Sequence, residues 1–486
     1  MANNNLTTQN HPRLKPFVDP ASGSRIPRRT FLKLAAAATA INVVPRHVLG
    51  GAGQIAPSDK ITLAGVGTGG QGMQNLAALQ EFPEIQVVAV CDVNREGGRY
   101  LSWNWTQGKE QRFCGREPAR RLVEEYYAKQ KHSGQYRGCK TYSDYRELLE
   151  KEDADAVMVA TPDHTHAVIT MAALKRAKHV YCEKPLAYSV FEARQITEAA
   201  RKAKVATQMG NQGQAGESAR VVREIIADGV IGPVREVQVW CSARFWTWPT
   251  WEGRPPDQPP VPDGLDWDLW LGPAAERPYH PTYHPWTWRN WWDFGTGQLG
   301  DLGCHKLSTV VKALQLGHPV SVEASSTLLG SEIYPLGVVA RFEFPARGDM
   351  PPVVLSWFDG GLRPPRPPEL EPDDPLQDTI YIGEKGKLMG ERLIPESRME
   401  TYRKPPKTLP RSPGHYHEWV AACRGGPPAG SNFVDHAGPL TEICLLGNVA
   451  VRAQKKLAWD GPNLRIPNDN AANKLLHREY RRGWTL

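Results

Sequence analysis

The sequence lacks any apolar run long enough to cross a bilayer. Its one extended apolar stretch, Leu34 to Val44, falls short of the roughly 18–20 residues that a spanning helix needs, which argues against an integral membrane protein. Paired cysteines are missing too. The eight cysteines (Cys91, Cys114, Cys139, Cys182, Cys241, Cys304, Cys423 and Cys444) are widely spaced. No Cys-x-x-Cys or His-Glu-x-x-His occurs, so neither a disulfide framework nor a zinc centre is expected, and no catalytic metal. Internal repeats are also absent. The formal charge of +7 is not spread along the chain. Arg13, Lys15, Arg25, Arg28, Arg29, Lys33 and Arg46 stand against Asp19 alone in the first fifty residues, and the rest is nearly neutral. That removes the electrostatic case for nucleic-acid binding. What remains is a chain of 486 residues, 40% hydrophobic and 23% charged, in the globular range and long enough for two or three domains.

The basic start has an order of its own. Pro27-Arg28-Arg29-Thr30-Phe31-Leu32-Lys33 and the Ala-rich run after it resemble a twin-arginine export signal. Pro27 stands where Ser or Thr usually precedes the arginines, and no clean Ala-x-Ala site appears before Ser58. An amphipathic N-terminal helix docked on the body is the other reading. Export places the protein in the periplasm or cell envelope, and a non-functional signal leaves it cytoplasmic. The twin-arginine route carries folded proteins, so reduced, buried thiols are compatible with it.

Beyond the leader, Ile61 to Ala64 is a short apolar strand running into Gly65-Val66-Gly67-Thr68-Gly69-Gly70. A helical stretch, Gln71 to Gln80, and a second strand, Ile85 to Val90, lead to Cys91-Asp92. Strand, G-x-G-x-x-G turn, helix, strand and acid in that order form a dinucleotide-binding unit: the glycines let the backbone approach a pyrophosphate, and the acid accepts from the adenosine ribose. A carboxylate at Asp92 repels a 2′-phosphate, although Arg95 could offset it, so NAD is favoured over NADP. A Trp-, Arg- and Gly-bearing insertion over about 97–140 interrupts the rhythm. Asp155 to Ala160 is then a buried strand ending at Thr161-Pro162-Asp163-His164-Thr165-His166, and His179 to Cys182 is another, delivering Glu183-Lys184-Pro185.

With Gly300-Asp301-Leu302-Gly303-Cys304-His305 downstream, these motifs resemble, in the right order, the Gfo/Idh/MocA oxidoreductases. The resemblance implies an α/β protein with an N-terminal Rossmann domain, a doubly wound parallel sheet, and a C-terminal α/β domain with an open, mostly antiparallel sheet. The expected division is signal and linker over 1–57, dinucleotide-binding domain over 58–187, and substrate and oligomerisation domain over 188–486. It also implies that Lys184, Asp301 and His305 surround the reacting carbon. The cofactor site would draw on Gly65, Gly67, Thr68, Gly69, Gly70 and Gln71, on Asp92, Val93 and Asn94, on Thr161, Pro162, His164 and His166, and on Glu183, Lys184 and Gln212. The chemistry is self-consistent: Asp301 and His305 share a helix face at i, i+4. A histidine near its ordinary pKa can take a hydroxyl proton, while Lys184 stabilises alkoxide charge and Asp301 binds a hydroxyl or orients the imidazole.

Ten of the sixteen Trp fall between Trp240 and Trp292, interleaved with Pro, Tyr and His. This stretch, about 240–295, is expected to be an ordered insertion. Its indoles either stack on a sugar ring in the cleft or pack against the protein itself. Trp288, Arg289, Trp292 and Asp301 are the expected substrate contacts. Three functions follow: an NAD-dependent oxidoreductase acting on a secondary hydroxyl or keto group of a sugar, cyclitol or glycoside, with tightly bound cofactor; a redox-neutral NAD-dependent glycoside hydrolase or lyase, against which the presence of Lys184 counts; and a non-catalytic sugar-binding module. The expected partners are a small carbohydrate or cyclitol and further copies of the chain, as dimer or tetramer.

Overall fold

The computed structural model describes residues 55–100, 113–241, 253–327 and 330–486. The segment expected to be an export leader, together with Trp246, Trp248 and Trp251, lies outside the described residues. Ser58–Leu486 form one compact unit containing two sheets. Among the described residues no helix is long and apolar enough to cross a membrane.

The first sheet is parallel throughout, in the order β3-β2-β1-β4-β5-β6. Its strands are β1 (Ile61–Val66), β2 (Ile85–Cys91), β3 (Lys140–Tyr142), β4 (Ala156–Val159), β5 (His179–Cys182) and β6 (Thr207–Met209). The central strands are apolar on both faces, with Leu63, Ala64, Val157 and Met158 all buried, as helices on both sides require. Those helices are α1 (Gly70–Leu79), α2 (Arg116–Ala128), α3 (Tyr145–Lys151), α4 (Asp163–Leu174) and α5 (Val190–Ala203). Local chemistry fixes their starts: Asp144 accepts from the Arg146 N–H, and Ser189 and Glu192 close a capping box.

Two expectations are revised here. Much of 97–140 is not an insertion, because α2 is the crossover between β2 and β3. Its Val123 and Tyr127 are buried against the sheet, and the Tyr127 hydroxyl accepts the Val87 N–H at 3.0 Å. High charge on the outer face of α2 masks that apolar stripe in the sequence. The parallel sheet also runs past residue 187, since β6 pairs with β5.

After α6 (Glu217–Ala227) comes the second sheet, in the order β13-β12-β11-β7-β10-β9-β8-β14. Its strands are β7 (Val234–Trp240), β8 (Ser321–Ser326), β9 (Val338–Phe344), β10 (Val353–Phe358), β11 (Thr379–Gly383), β12 (Gly386–Met389), β13 (Arg392–Ile394) and β14 (Leu457–Ala458). Only the β7–β10 pairing is parallel. Between β7 and β8 lie a short helix, α7 (Trp267–Leu271), and the long α8 (Gly297–Ala313). α9 (His415–Cys423) and α10 (Gly438–Ala453) follow the last long strands. α8 and α10 pack together and cover one face, where Val237, Leu355, Trp357 and Phe342 are buried. The opposite face carries Glu236, Gln238, Ser356, Arg341 and Glu343, which the register sets side by side.

The Trp-rich stretch divides its indoles. Trp267, Trp270 and Trp291 form a cluster of their own with Tyr279, Tyr283 and Phe294. Trp240 packs under the second sheet, and Trp292 lies against Tyr334 in the main core. The same stretch is laced to the first domain just beyond β2: the Arg95 backbone N–H donates to the Gly264 carbonyl at 2.8 Å, and the Asp266 backbone N–H donates to the Val93 carbonyl at 2.9 Å.

Candidate active site

The C-terminal ends of the parallel strands and the N-terminal half of α8 enclose one cavity of about 580 Å³. Such strand ends are where open α/β sheets bind ligands.

At one end is the glycine turn. Gly67 has φ +83°, and a Cβ there would stand 2.6 Å from the Ala160 carbonyl carbon and the Thr161 nitrogen, so only glycine fits. No side chain caps α1, which leaves its first-turn N–H groups at Gly70 and Gln71 facing the cavity for an anion. Asp92 ends β2. Its carboxylate accepts the Thr68 N–H at 2.7 Å and the Asn94 N–H at 2.8 Å. Burial raises its pKa against those donors. Ser143, Asp144 and Tyr145 complete this end. Turn, uncapped helix and acid together match the needs of a dinucleotide: backbone contact to pyrophosphate and a carboxylate for ribose hydroxyls.

Over the turn lies Tyr100, whose ring sits 3.2 Å from where a Gly69 Cβ would be. Its hydroxyl accepts from Asn94 Nδ2 at 3.1 Å and lies 2.9 Å from His284 Nε2. Burial pushes His284 down to about 4, so the imidazole is neutral. Tyr100 and His284 thus join the two domains across the cofactor groove.

At the other end β5 delivers Lys184 and α8 delivers Asp301 and His305. The Lys184 ammonium contacts Asp301 Oδ1, and Arg289 Nε lies 3.7 Å from Asp301 Oδ2. Burial works against both charges of the pair. Asp301 nevertheless holds Lys184 above its ordinary pKa, while Lys184 and then Arg289 hold Asp301 below its own. His305 is pushed down to about 3, first by burial and then by the Lys184 ammonium. This corrects the expectation of a near-ordinary pKa. Asp163, at the start of α4, accepts from the Thr296 N–H at 3.1 Å and its hydroxyl at 2.6 Å. Burial and the neighbouring Asp301 push Asp163 up to about 7. The Arg289 guanidinium lies against the rings of both Trp286 and Trp288, 3.9 and 4.1 Å from their centres.

The cavity wall therefore gathers Gly67, Gly69, Gly70, Gln71, Asp92, Val93, Thr161, Pro162, Glu183, Lys184, Gln212, Trp288, Arg289, Asp301 and His305. Six expected residues stand behind it. Gly65 packs against Leu76, and Thr68 and Asn94 serve Asp92. His164 donates from Nε2 to the Trp270 carbonyl at 2.9 Å. His166 lies 2.7 Å from the carbonyls of both Thr161 and Pro185, tying the ends of β4 and β5 together. Trp292 faces Tyr334. These residues pack or hydrogen-bond within the protein, so they support the wall rather than forming it. Tyr100, Asp163, His284 and Lys306 also reach the cavity and were missed, and Trp286, one of the indoles nearest Asp301 in the sequence, reaches it too. Asp163 was the most legible, because it opens the helix after a strand end.

Residues 61–211 match the model of the Gfo/Idh/MocA oxidoreductase family's NAD-binding Rossmann fold, and residues 215–329 match that family's C-terminal α/β domain. Among curated proteins, 1,5-anhydro-D-fructose reductase of Ensifer adhaerens is 39% identical over 93 residues, 19% of this chain and 28% of the relative. Inositol 2-dehydrogenase of Rubrobacter xylanophilus is 28% identical over 179 residues, 36% of this chain and 42% of the relative. Each match thus spans less than half of the curated relative. The WlbA dehydrogenase of Bordetella pertussis, solved with NADH and UDP-GlcNAcA, superposes with a TM-score of 0.52 at 18% identity over 82% of this chain and 99% of that one, which is a likeness of fold.

Proposed function

The chain belongs to the Gfo/Idh/MocA oxidoreductase family, and on that premise we propose that it oxidises or reduces a secondary hydroxyl or keto group of a sugar, cyclitol or glycoside with a tightly held NAD. The observation that carries this reading is the meeting of Lys184, Asp301 and His305 in one cavity with the glycine turn and Asp92. The carbohydrate names of the two curated relatives agree with it. A carboxylate at Asp92, already holding two backbone N–H groups, suits a ribose diol and repels a 2′-phosphate, which favours NAD over NADP.

NAD, when bound, supplies hydride acceptance and donation. The chain's own residues handle the proton and the charge. His305, neutral beside the Lys184 ammonium, is placed to take the hydroxyl proton of the alcohol during oxidation and return it during reduction, and because its depressed pKa makes it a weak base the step leans on Lys184 stabilising the alkoxide. Lys184, kept charged by Asp301, donates to the substrate oxygen as negative charge develops there. Asp301 pins Lys184, and Trp288 and Arg289 line the substrate side. Tyr100 and His284 close the groove over the glycine turn, which supports slow cofactor exchange.

Mass spectrometry of small molecules released from the purified, unsupplemented protein tests the reading. Stoichiometric NAD, reduced when sugars or cyclitols are added, is the expected result. Glycoside cleavage with no net change in the bound cofactor would replace net oxidation with the redox-neutral reaction. Absence of NAD binding would refute both. The Arg28–Arg29 leader is proposed to export the holoenzyme folded.

A further inference from the structure

The strand ends order the cavity from one side to the other. β5 leads to Lys184, β1 to the glycine turn, β2 to Asp92 and β3 to Ser143, in a sheet that runs β3-β2-β1-β4-β5. The Asp92 N–H donates to the Tyr142 carbonyl at 3.1 Å, so the end of β3 stands directly beside Asp92. A dinucleotide that reaches Lys184 with its nicotinamide and Asp92 with its other ribose therefore has its second base beyond Asp92, at the first turns of α3 and α4. There Ser143, Tyr145, Ile169, Leu269 and Trp484 line the cavity. Asp144 lines it too, but its Oδ2 accepts from Arg146 Nε at 3.0 Å and Nη2 at 2.7 Å. Apolar and aromatic walls beside a carboxylate that is already paired suit a flat, uncharged heteroaromatic ring better than a sugar or a phosphate.

Trp484 belongs neither to the dinucleotide-binding motifs nor to the Trp-rich stretch, and its place is fixed from two sides. Arg481 fastens the segment to α7 and the residues just after it. Its backbone N–H donates to the Pro273 carbonyl at 3.1 Å, Nε to the Gly272 carbonyl at 3.1 Å and Nη2 to the Asp268 carbonyl at 2.7 Å, while Nη1 contacts the Asp268 carboxylate. The Trp484 N–H then donates to the Arg481 carbonyl at 3.1 Å. From the first domain, the Arg146 guanidinium lies over the indole, 4.8 Å from its centre, and the Tyr145 ring stands 6.2 Å away, tilted by 37°. A Cβ at Gly272 would stand 3.8 Å from Trp484 Cη2 and 2.8 Å from Thr165 Cγ2, which sets the indole close to α4 as well. Trp484 is thus buried between the starts of α3 and α4, yet it borders the cavity.

We propose that Trp484 is a wall of an adenine pocket, so that a segment far along the chain from the glycine turn packs against the base of NAD and slows its release. This deepens the oxidoreductase reading and rests on the same cavity. Tyr100 and His284 then cover the cofactor over the turn, and Trp484 holds it at the adenosine end.

The test measures dissociation constants of NADH, AMP and nicotinamide mononucleotide, the last two as competitors that displace NADH from the NADH-loaded protein, followed by its fluorescence. Trp484→Leu keeps an apolar filler and removes the ring. It should weaken AMP and NADH together, roughly fivefold to a hundredfold, the worth of one base–aromatic contact, and leave nicotinamide mononucleotide unchanged. Trp484→Phe keeps a ring and should lose less than Trp484→Leu. Arg481→Ala loosens the segment without touching the indole, should also weaken AMP and spare nicotinamide mononucleotide, and serves if the leucine variant fails to fold. A variant that binds AMP as the wild type does, or that loses AMP and nicotinamide mononucleotide equally, overturns the adenine wall and leaves the oxidoreductase standing. A loss confined to AMP and NADH, in a protein whose bound cofactor no sugar or cyclitol reduces, establishes the wall and refutes the oxidoreductase. A wild type that binds no NADH refutes both.

Discussion

Replacing Lys184 with Met separates the two tasks that its ammonium performs. The first is electrostatic support of Asp301. The side chains of Lys184 and Asp301 are 16% and 8% exposed, so the pair is effectively buried, and removing one partner of such a pair costs roughly 3–5 kcal/mol. Arg289, 3.7 Å from the other carboxylate oxygen, absorbs part of that loss, so the low end of this range is expected for Lys184→Met. The double variant Lys184→Met/Asp301→Asn removes the carboxylate too but leaves the Arg289 guanidinium without its counter-charge, so it should recover little of the loss. The second task is depression of His305. Its pKa of about 3 has burial as the larger cause and Lys184 as the next. Loss of the ammonium should therefore raise the imidazole midpoint by roughly 1–2 pH units, the effect of one nearby charge, without returning it to its ordinary value. Denaturant unfolding of the wild type and both variants measures the first effect. Histidine-selective NMR titration measures the second without needing a substrate. A double variant that regains the wild-type stability, or a His305 midpoint that stays put, would refute the electrostatic account of the site.

Other consequences are as direct. Burial holds His164 and His305 down at about 3 and His284 and His415 at about 4. Unfolding lets each bind a proton below its ordinary 6.5, so their contribution to stability is lost as pH falls from 6.5 to about 4 for His284 and His415 and to about 3 for His164 and His305. Asp163 and Asp359 are raised to about 7, so their contribution, complete below the ordinary carboxylate range, is lost as pH rises towards and past 7. Thermal unfolding across pH should show a maximum near 6.5, and a midpoint still climbing at pH 8 would contradict this. Asp163→Asn keeps an acceptor for Thr296 and removes the charge. It should stabilise by on the order of 1–3 kcal/mol at pH 8 and little at pH 4, as denaturant curves at the two values will show. Tyr100→Ala removes the cover over Gly69 and the link to His284. It should speed NAD release at least about tenfold, the worth of one or two buried hydrogen bonds, and an unchanged off-rate in stopped-flow would deny Tyr100 that role.

The first sheet was legible in the sequence because parallel strands buried on both faces are unbroken apolar runs, and the glycine turn fixes where the cofactor chemistry begins. β7, β9 and β10 were legible for the opposite reason. One face of that sheet is polar, so inside and outside residues alternate, as Val237 and Val239 do with Glu236 and Gln238. α2 was hidden because its buried Val123 and Tyr127 sit among arginines and glutamates that satisfy solvent on the other face. Sequence distance also concealed the lacing of 264–266 onto 93–95, since nothing local announces a pairing between segments so far apart.

The site was legible where chemistry depends on residue type and illegible where it depends on direction. Lys184, Asp301 and His305 are reactive groups at strand and helix ends, and the fold brings them together. His164, His166 and Asp163 are neighbours in one turn of α4, and the sequence alone ranks the histidines first. A helix start sends successive side chains 100° apart, so His164 is turned towards the Trp270 carbonyl and His166 between two backbone carbonyls, while Asp163 is left facing the cavity. The same geometry decides the tryptophans. Trp286 and Trp288 both meet Arg289 because a single tight turn, Thr287–Asn290, carries Trp288 and Arg289 and begins directly after Trp286. Each indole therefore has a face committed to the guanidinium before any sugar arrives. Stacking on a substrate ring can use only what is left.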